Sequence, residues 1–392
     1  MVSIHRFFRS GRGATPATVY GAGLGAALAL VAALGACRTQ PYPESALHFD
    51  GGSVDHGGTT DAKGSVDQAG GDLASQLGPV DILFVVNSEP GTRTLRERLR
   101  LAAPALWKRL AEKVGDWHVG FVTADLGTGK FAVNGCTPVG DAAQLNPSQT
   151  TCGQQVPRFL AGSFNTASNF LGDPAGFFAG CYLGRLDQGC GYQQPWRAAY
   201  LALDEKTNPG FLRAGGRLMV VLVSDTEDCS VDDNSDLFDE TKTAYGPPSD
   251  VRCFMQGASC ATTIKTDQSG LYTDCRPAAG QATPKLASAP QLYVDIQKRA
   301  LSQGKVRVDF FAITANTGTV QITDDPQVGL SSVPVCQVGQ QEAALPSVRI
   351  DQIGKTEPAD KVQVIDTVCD SSWSNTLDEI GRVAGTEPPP SN

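Results

Sequence analysis

Val80-Asp81-Ile82-Leu83-Phe84-Val85-Val86 is the stretch of sequence that decides the fold of this chain. A nearly unbroken apolar run of this length is typical of a strand buried on both faces, as in a parallel sheet. The next segment, 92–114, repeats apolar residues at three- and four-residue spacing, which predicts an amphipathic helix with a bend at Pro104. A buried strand followed directly by such a helix indicates the start of a layered α/β fold.

The rest of the chain continues this alternation of apolar runs and amphipathic segments. Buried strands are predicted at 118–123, 217–224 and 306–314, helices at 195–203, 289–302 and 374–383, and a short antiparallel edge strand at 130–133. Cysteine-rich loops, roughly 134–190 and 229–285, interrupt the pattern. The sequence therefore predicts a doubly wound α/β fold, with a mostly parallel sheet flanked by helices and carrying cysteine-rich insertions.

The first 36 residues have the order of an export signal. Arginines at 6, 9 and 12 precede an apolar run, 21–36, which ends in small residues directly before Cys37. Residues 34–37, Leu-Gly-Ala-Cys, resemble the lipobox of bacterial lipoproteins. This resemblance implies cleavage before Cys37, a diacylglyceryl group on its thiol and an acyl chain such as palmitate on the new amino end. The alternative is an uncleaved anchor, but the run is shorter than the roughly 20 residues that span a bilayer.

An extracytoplasmic location follows from that leader. Segment 37–78 is rich in Gly, Asp and Ser and poor in large apolar side chains, which predicts a flexible linker. The folded domain is expected at 79–386, and the last residues, 387–392, are expected to form a disordered tail. Arg38 follows the lipidated cysteine, where Asp would argue for inner-membrane retention. The outer membrane of a bacterial cell envelope is therefore favoured over the inner one.

Composition restricts the partners and the cysteine chemistry. A net charge of −9 without a basic cluster excludes nucleic acid as a partner.

Ten cysteines follow the leader, an even number in an oxidising compartment, which favours disulfides. Zinc is the alternative, but no pair has CxxC spacing and His118 is the only histidine of the predicted domain. Proximity in the sequence favours the pairs Cys136–Cys152 and Cys181–Cys190, and less strongly Cys229–Cys253, Cys260–Cys275 and Cys336–Cys369.

The first strand and the residues after it resemble a von Willebrand factor A domain. In that family the strand ends in Asp-x-Ser-x-Ser, and a later Thr and Asp complete a site for Mg²⁺ or Mn²⁺. Here Asn87, Glu89 and Gly91 stand at the three motif positions when the alignment has no gap. If one residue is deleted instead, Ser88 takes the first Ser position and the Asp is absent. The resemblance implies that this site lies at the carboxyl ends of the strands of a doubly wound sheet.

The other metal-binding positions of that family are only partly kept. The loop before the helix at 195 ends in Gln194 and contains no Thr, whereas Asp225 stands where the last ligand belongs. Because only Asp225 matches, the resemblance implies a degenerate site with weak or absent metal binding. The alternative is a metal-dependent adhesin that uses Glu89, Asp225 and neighbouring loop oxygens.

Local strings of sequence also resemble a subgroup of large exported bacterial lipoproteins that carry this domain. They lie at 119–127, 189–195 and 224–230, and Val368-Cys369-Asp370 before the last helix also fits. The resemblance covers residues 80 to about 385. It implies a fold rather than an activity.

One stretch of the sequence matches a calcium-binding loop only in part. The spacing Asp-x-Asn-x-Asp at 232–236 matches the opening of such a loop, but Leu237 and Thr243 stand where Gly and Glu are needed. A solvated acidic loop, held by a disulfide at Cys229, is the favoured interpretation. Ca²⁺ binding remains the alternative.

Catalytic motifs are absent from the sequence. It contains no Gly-x-Ser-x-Gly elbow, no phosphate-binding glycine loop with Lys and no HExxH. We therefore expect a non-enzymatic lipoprotein that binds or scaffolds an envelope or extracellular protein through residues 87–92, Gln193, Gln194 and 225–228. No cofactor is expected, with Mg²⁺ or Ca²⁺ as the alternative. An envelope enzyme with an unrecognised site is the weaker alternative.

Overall fold

Residues 80–86 form the central strand of a six-stranded sheet in the computed structural model of the chain. The structure describes residues 78–145, 156–163, 168–170, 172–183, 188–278, 285–315, 317–327, 329–338, 342–353 and 362–386. The predicted leader, the lipidation site Cys37, the linker up to residue 77 and the tail 387–392 lie outside these residues.

Strands and helices alternate along the described chain. The strands are β1 (Val80–Val86), β2 (Asp116–Thr123), β3 (Phe159–Ser163), β4 (Arg217–Ser224), β5 (Ala258–Ser259), β6 (Gly270–Tyr272), β7 (Arg276–Pro277), β8 (Arg307–Thr314), β9 (Val320–Asp325), β10 (Gly329–Ser332), β11 (Cys336–Gln337), β12 (Ala343–Ala344) and β13 (Val362–Thr367). The α-helices are α1 (Arg93–Lys113), α2 (Pro174–Phe177), α3 (Pro195–Ala202), α4 (Asp250–Gly257), α5 (Ala289–Ser302), α6 (Val348–Asp351) and α7 (Ser374–Ala384). Within the described residues, no helix is both long and apolar enough to cross a membrane.

The main sheet has the strand order β13-β8-β4-β1-β2-β3. All neighbouring strands are parallel except β3, which pairs antiparallel to β2 at the edge. Strands β2 and β3 therefore lie on one side of β1, and the later strands β4, β8 and β13 lie on the other. The strand order reverses between β1 and β4. In open α/β sheets, ligands bind outside the carboxyl ends of the strands at such a reversal.

The core has two layers, because successive side chains of a strand point to opposite faces of the sheet. Ile82, Phe84 and Val86 pack in one buried cluster with residues of α1 and α7. Leu83 and Val85 pack in the other with residues of α3 and α5. Every residue of β1 is buried, which confirms the prediction of a strand covered on both faces.

The predicted edge strand at 130–133 is wrong. Those residues form a loop that follows turns with positive φ at Gly127 and Gly129, and β3 is the antiparallel edge instead. The sixth strand, β13, was not predicted from the sequence. The strands at 80–86, 116–123, 217–224 and 307–314 agree with the predictions to within two residues.

The disulfides correct two of the predicted pairs. Cys136 is bonded to Cys190, so the pairs Cys136–Cys152 and Cys181–Cys190 are both wrong. The loops that carry Cys136 and Cys190 meet at the carboxyl edge, where their Cα atoms lie 4.4 Å apart, and this proximity is invisible in sequence spacing. Cys181 is also disulfide-bonded, and Cys152 lies outside the described residues. The other three predicted pairs are confirmed: Cys229–Cys253, Cys260–Cys275 and Cys336–Cys369.

Candidate functional site

The reversal of strand order brings together two residues that the sequence singled out. Asn87 directly follows β1 and Asp225 directly follows β4, and the two strands run in register up to Val86 and Val223. The Asn87 side-chain amide donates to Asp225 Oδ1 at 3.2 Å and to Thr226 Oγ1 at 2.8 Å. The predicted site residues Asn87 and Asp225 are therefore direct neighbours at the carboxyl edge of the sheet.

Glu89 adds a second carboxylate to this edge. It is partly buried and forms a side-chain hydrogen bond with Thr226. Burial, together with the charges of Asp225 and Asp250, raises the pKa of Glu89 well above its usual value. Burial also raises the pKa of Asp225 to about 6, although the hydrogen bond from Asn87 acts in the opposite direction. The edge therefore brings together acidic groups whose charged forms are unfavourable there, so both keep their protons to a higher pH than an exposed acid does.

Gly91 stands where the von Willebrand factor A motif that the sequence resembles has its second Ser. It is exposed and has a φ of +105°, a conformation that favours glycine over residues with a Cβ atom. The turn around it is closed by Thr92, whose hydroxyl donates to the Glu89 carbonyl at 3.0 Å. This backbone therefore presents no hydroxyl to a metal at position 91.

The two glutamines of the predicted face connect loops to each other. Gln193 Oε1 accepts from the Ser88 amide at 2.9 Å. Gln194 donates to the Gly127 carbonyl at 3.0 Å and accepts from the Val231 amide at 3.3 Å. Both side chains are buried, and their hydrogen bonds hold the loops at this edge in place. Gln194 makes no hydrogen bond to Asn87 or Asp225.

Glu227 and Asp228 point into the protein. Glu227 accepts from the amides of Val348 and Arg349, both at 2.9 Å, and burial raises its pKa to about 8. Asp228 forms an ion pair with Arg349 at 2.8 Å, in which both side chains are almost completely buried. These two acids therefore fix α6 against the loop that follows β4, a role that the sequence did not reveal.

The described residues offer no complete set of metal ligands. They contain no group of three or more His, Cys, Asp or Glu side chains arranged to hold a metal ion. Asn87 directs its N–H group, a donor, at Asp225, whereas the von Willebrand factor A motif that the sequence resembles has a carboxylate in place of Asn87. In the calcium-like stretch, Asp236 instead accepts from Lys285 at 2.8 Å and from the Tyr245 hydroxyl at 3.0 Å. The residues present thus fit neither a Mg²⁺ nor a Ca²⁺ site of the usual kind.

A cavity lies beside this site and includes residues that the sequence analysis missed. Its volume is about 360 Å³, and its walls include Glu89 and Thr226 together with Tyr192, Glu240 and Asp250. The Cys229–Cys253 disulfide brings the start of α4 to the carboxyl edge, since Asp250 lies three residues before Cys253. That pairing was the signal from which the position of Asp250 could have been inferred.

Comparisons with known proteins give no family for this chain. It matches no family model and no curated protein. Two solved structures that it resembles are the pilus adhesin SpaC from Lactobacillus rhamnosus GG, with 12% identity over 79% of this chain and a TM-score of 0.34, and the human COPII-coat protein Sec24c, with 13% identity over 79% of this chain and a TM-score of 0.27. The chain spans 31% and 32% of those proteins. At these TM-scores the likeness supports no conclusion on fold or function.

Proposed function

We propose that this chain is a lipid-anchored protein of the bacterial cell envelope whose von Willebrand factor A-like domain binds another protein without a metal ion. The binding face is the carboxyl edge of the main sheet at residues 87–92 and 225–226, where Glu89 is partly exposed and Pro90 and Gly91 are exposed next to the buried Asn87 and Asp225. The loops that carry Cys136 and Cys190 lie beside it. The activity is non-enzymatic. The anchor is the diacylglyceryl group on Cys37, in the outer rather than the inner membrane.

The observation that carries the proposal is the contact between Asn87 and Asp225 at the strand-order reversal. This is where open α/β sheets place their ligands, and here a cavity of about 360 Å³ opens beside the pair. The sheet order, with helices on both faces and one antiparallel edge strand, supports the von Willebrand factor A-like interpretation.

Two features favour binding over catalysis. His118 lies at the start of β2, at the opposite edge of the sheet, where its Nδ1 is 2.8 Å from the Phe211 carbonyl oxygen. A nucleophilic Ser at the carboxyl edge therefore has no histidine near it among the described residues to act as a base. Two of the carboxylates at this edge are also engaged within the protein, since Asp225 accepts from Asn87 and Asp228 pairs with Arg349.

Crosslinking from the proposed face tests this function. A photo-activated crosslinking residue at exposed Asn134, on the wall of the cavity, should capture an envelope protein when the full-length chain is expressed in its own bacterium. The control position is Val306, which is 64% exposed and lies just before β8 at the opposite edge. Equal capture from both positions, or none from Asn134, would contradict the proposal.

A chelator separates this proposal from a metal-dependent adhesin. If Glu89 and Asp225 held Mg²⁺, Mn²⁺ or Ca²⁺ for the partner, EDTA would abolish crosslinking from Asn134 and added metal would restore it. We expect the yield of the crosslinked product, measured by immunoblot, to be the same with and without EDTA. A chelator-sensitive product would favour the adhesin.

A further inference from the structure

The cavity at the carboxyl edge is strongly acidic. Three of its wall residues are Glu89, Glu240 and Asp250, and it has no Lys or Arg in its wall. Within the described part of the chain, none of these three acids forms an ion pair. Arg252 is near enough for its charge to lower the pKa of Tyr192. Its guanidinium, however, donates to main-chain carbonyls such as that of Gly246. The cavity therefore has the electrostatic character of a site for a cation.

Buried hydroxyl groups in the same wall have no hydrogen-bond partner. The Tyr192 hydroxyl and Ser249 Oγ are both buried and unpaired among the described residues, and Tyr192 is only 3% exposed. Burial raises the pKa of Tyr192, and the charges of Glu240 and Asp250 add to this rise. Unsatisfied buried polar atoms are rare in folded proteins and indicate a missing partner. N–H donors in the cavity would provide these oxygens with partners.

The spacing of the acids selects the kind of cation. No three carboxylates of the described chain come close enough to share one metal ion. A cation that distributes several N–H donors over a larger volume fits this arrangement better, and an ammonium group has three. Val133, Pro248 and Leu345 also line the cavity and provide an apolar wall for a methylene stem. The volume of about 360 Å³ is within the usual range for ligand pockets.

We propose that this cavity binds a primary ammonium group on an aliphatic stem, namely a lysine side chain of the protein partner. The ammonium lies between Glu89 and Asp250 and donates to the Tyr192 hydroxyl, while its stem packs against Leu345. This inference rests on the proposed protein-binding function and specifies its chemistry.

The test measures binding of N-acetyl-lysinamide to the purified full-length chain by ligand-observed NMR titration. The uncharged probe N-acetyl-norleucinamide has the same stem without the ammonium. We expect the lysine probe to bind at least tenfold more tightly than the norleucine probe, since only the lysine probe can form hydrogen bonds with the charged carboxylates. Equal affinity for the two probes, or no binding of the lysine probe, overturns the inference.

Substitutions locate the binding in the cavity. Asp250→Asn and Glu89→Gln should each weaken the lysine probe about tenfold, and Tyr192→Phe about threefold. The matched control is Asp233→Asn, which removes one acid whose side chain is 87% exposed and lies outside this cavity. If Asp250→Asn does not fold, as judged by its melting temperature, Glu240→Gln and Tyr192→Phe carry the test. Probe affinity that none of the cavity substitutions changes overturns the inference.

Three further outcomes separate this inference from a metal site and from the proposed function. Competition of the lysine probe by Mg²⁺ or Ca²⁺ at millimolar concentration, lost in Asp250→Asn, identifies a metal site and overturns the ammonium site. If Asn134 captures a partner but the lysine probe does not bind, the protein-binding function stands and the lysine chemistry is wrong. If the probe binds but Asn134 captures nothing, the cavity takes free amines and the protein-binding function is wrong.

Discussion

Arg349 reaches from α6 into the protein and satisfies several acceptors at once. It pairs with Asp228 at 2.8 Å and donates to the carbonyls of Ala287 at 2.7 Å and Asp228 at 2.9 Å. Since the arginine is only 1% exposed, the charge that it neutralises has no access to water. A buried charge that loses its partner is far more costly than an exposed one.

Arg349→Met should therefore lower the free energy of unfolding by about 3–5 kcal/mol, because Asp228 is left buried and unpaired. The matched control is Arg382→Met, which breaks the exposed pair with Glu379 and should cost less than about 1 kcal/mol. Urea unfolding followed by circular dichroism measures both. A similar small loss in the two variants would show that Asp228 is solvated or paired in another way.

Asp250 gives the stability a pH dependence of known sign. Burial raises its pKa to about 6 in the folded chain, above the usual value of about 3.9 for an unfolded chain. The folded state therefore binds more protons between these values, so this contribution to stability is present below about pH 4 and is lost as the pH rises through 6.

Asp250→Asn should remove that contribution, amounting to about 2 kcal/mol between pH 4 and pH 7. The measurement is the unfolding free energy of the variant minus that of the wild type at each pH in this range. This difference should rise with pH. Glu112→Gln, an exposed position on α1, serves as the control and should leave the difference flat. A flat difference for Asp250→Asn as well would mean that Asp250 is solvated in the folded protein.

Among the elements, the sequence reveals those that are long and strongly patterned. β1, β4, α1 and α5 were predictable because their apolar residues follow the period of one buried strand or helix. β3, with the sequence Phe-Leu-Ala-Gly-Ser, and β13 are edge strands. Their formation depends on pairing with β2 and β8, a tertiary contact that local sequence does not encode.

The candidate site was predictable to a similar extent. Asn87 and Asp225 could be placed together because each directly follows a buried parallel strand. Tyr192 could not, because its position depends on the path of the preceding insertion. Asp250 could be placed there only through the predicted pair Cys229–Cys253. The inward orientation of Glu227 depends on α6, which is more than a hundred residues away in the chain.

The disulfide between Cys136 and Cys190 holds the loop after β2 to the loop before α3 at the edge of the cavity. Replacing both cysteines with Ala should lower the free energy of unfolding by about 2–4 kcal/mol and reduce crosslinking from Asn134. A Cys260→Ala/Cys275→Ala variant is the control, since it should lose stability but keep the crosslink. Non-reducing peptide mapping checks the pairing itself, and a Cys136–Cys152 peptide would contradict it.

For the whole molecule, the predicted anchor determines where the domain works. Cys37→Ser should prevent lipid attachment and move the protein from the membrane fraction to the soluble fraction of the envelope. Mass spectrometry of the mature wild-type protein should find a lipidated Cys37 at the amino terminus, and a retained leader would sink this prediction. Asp233→Asn, an exposed change in the domain, serves as the fractionation control and should remain with the membrane.

β1 has a mechanical consequence because it runs through the middle of the sheet. It enters at the edge where Pro79 accepts a hydrogen bond from Arg217, and it ends at Asn87 beside the cavity. A pull on the preceding chain and a load held in the cavity would act at its two ends. Since β1 is paired along its whole length with β2 and β4, its hydrogen bonds on both sides would share that shear force together. If the proposed partner is held in the cavity, these hydrogen bonds would resist tension between that partner and the amino end of the domain.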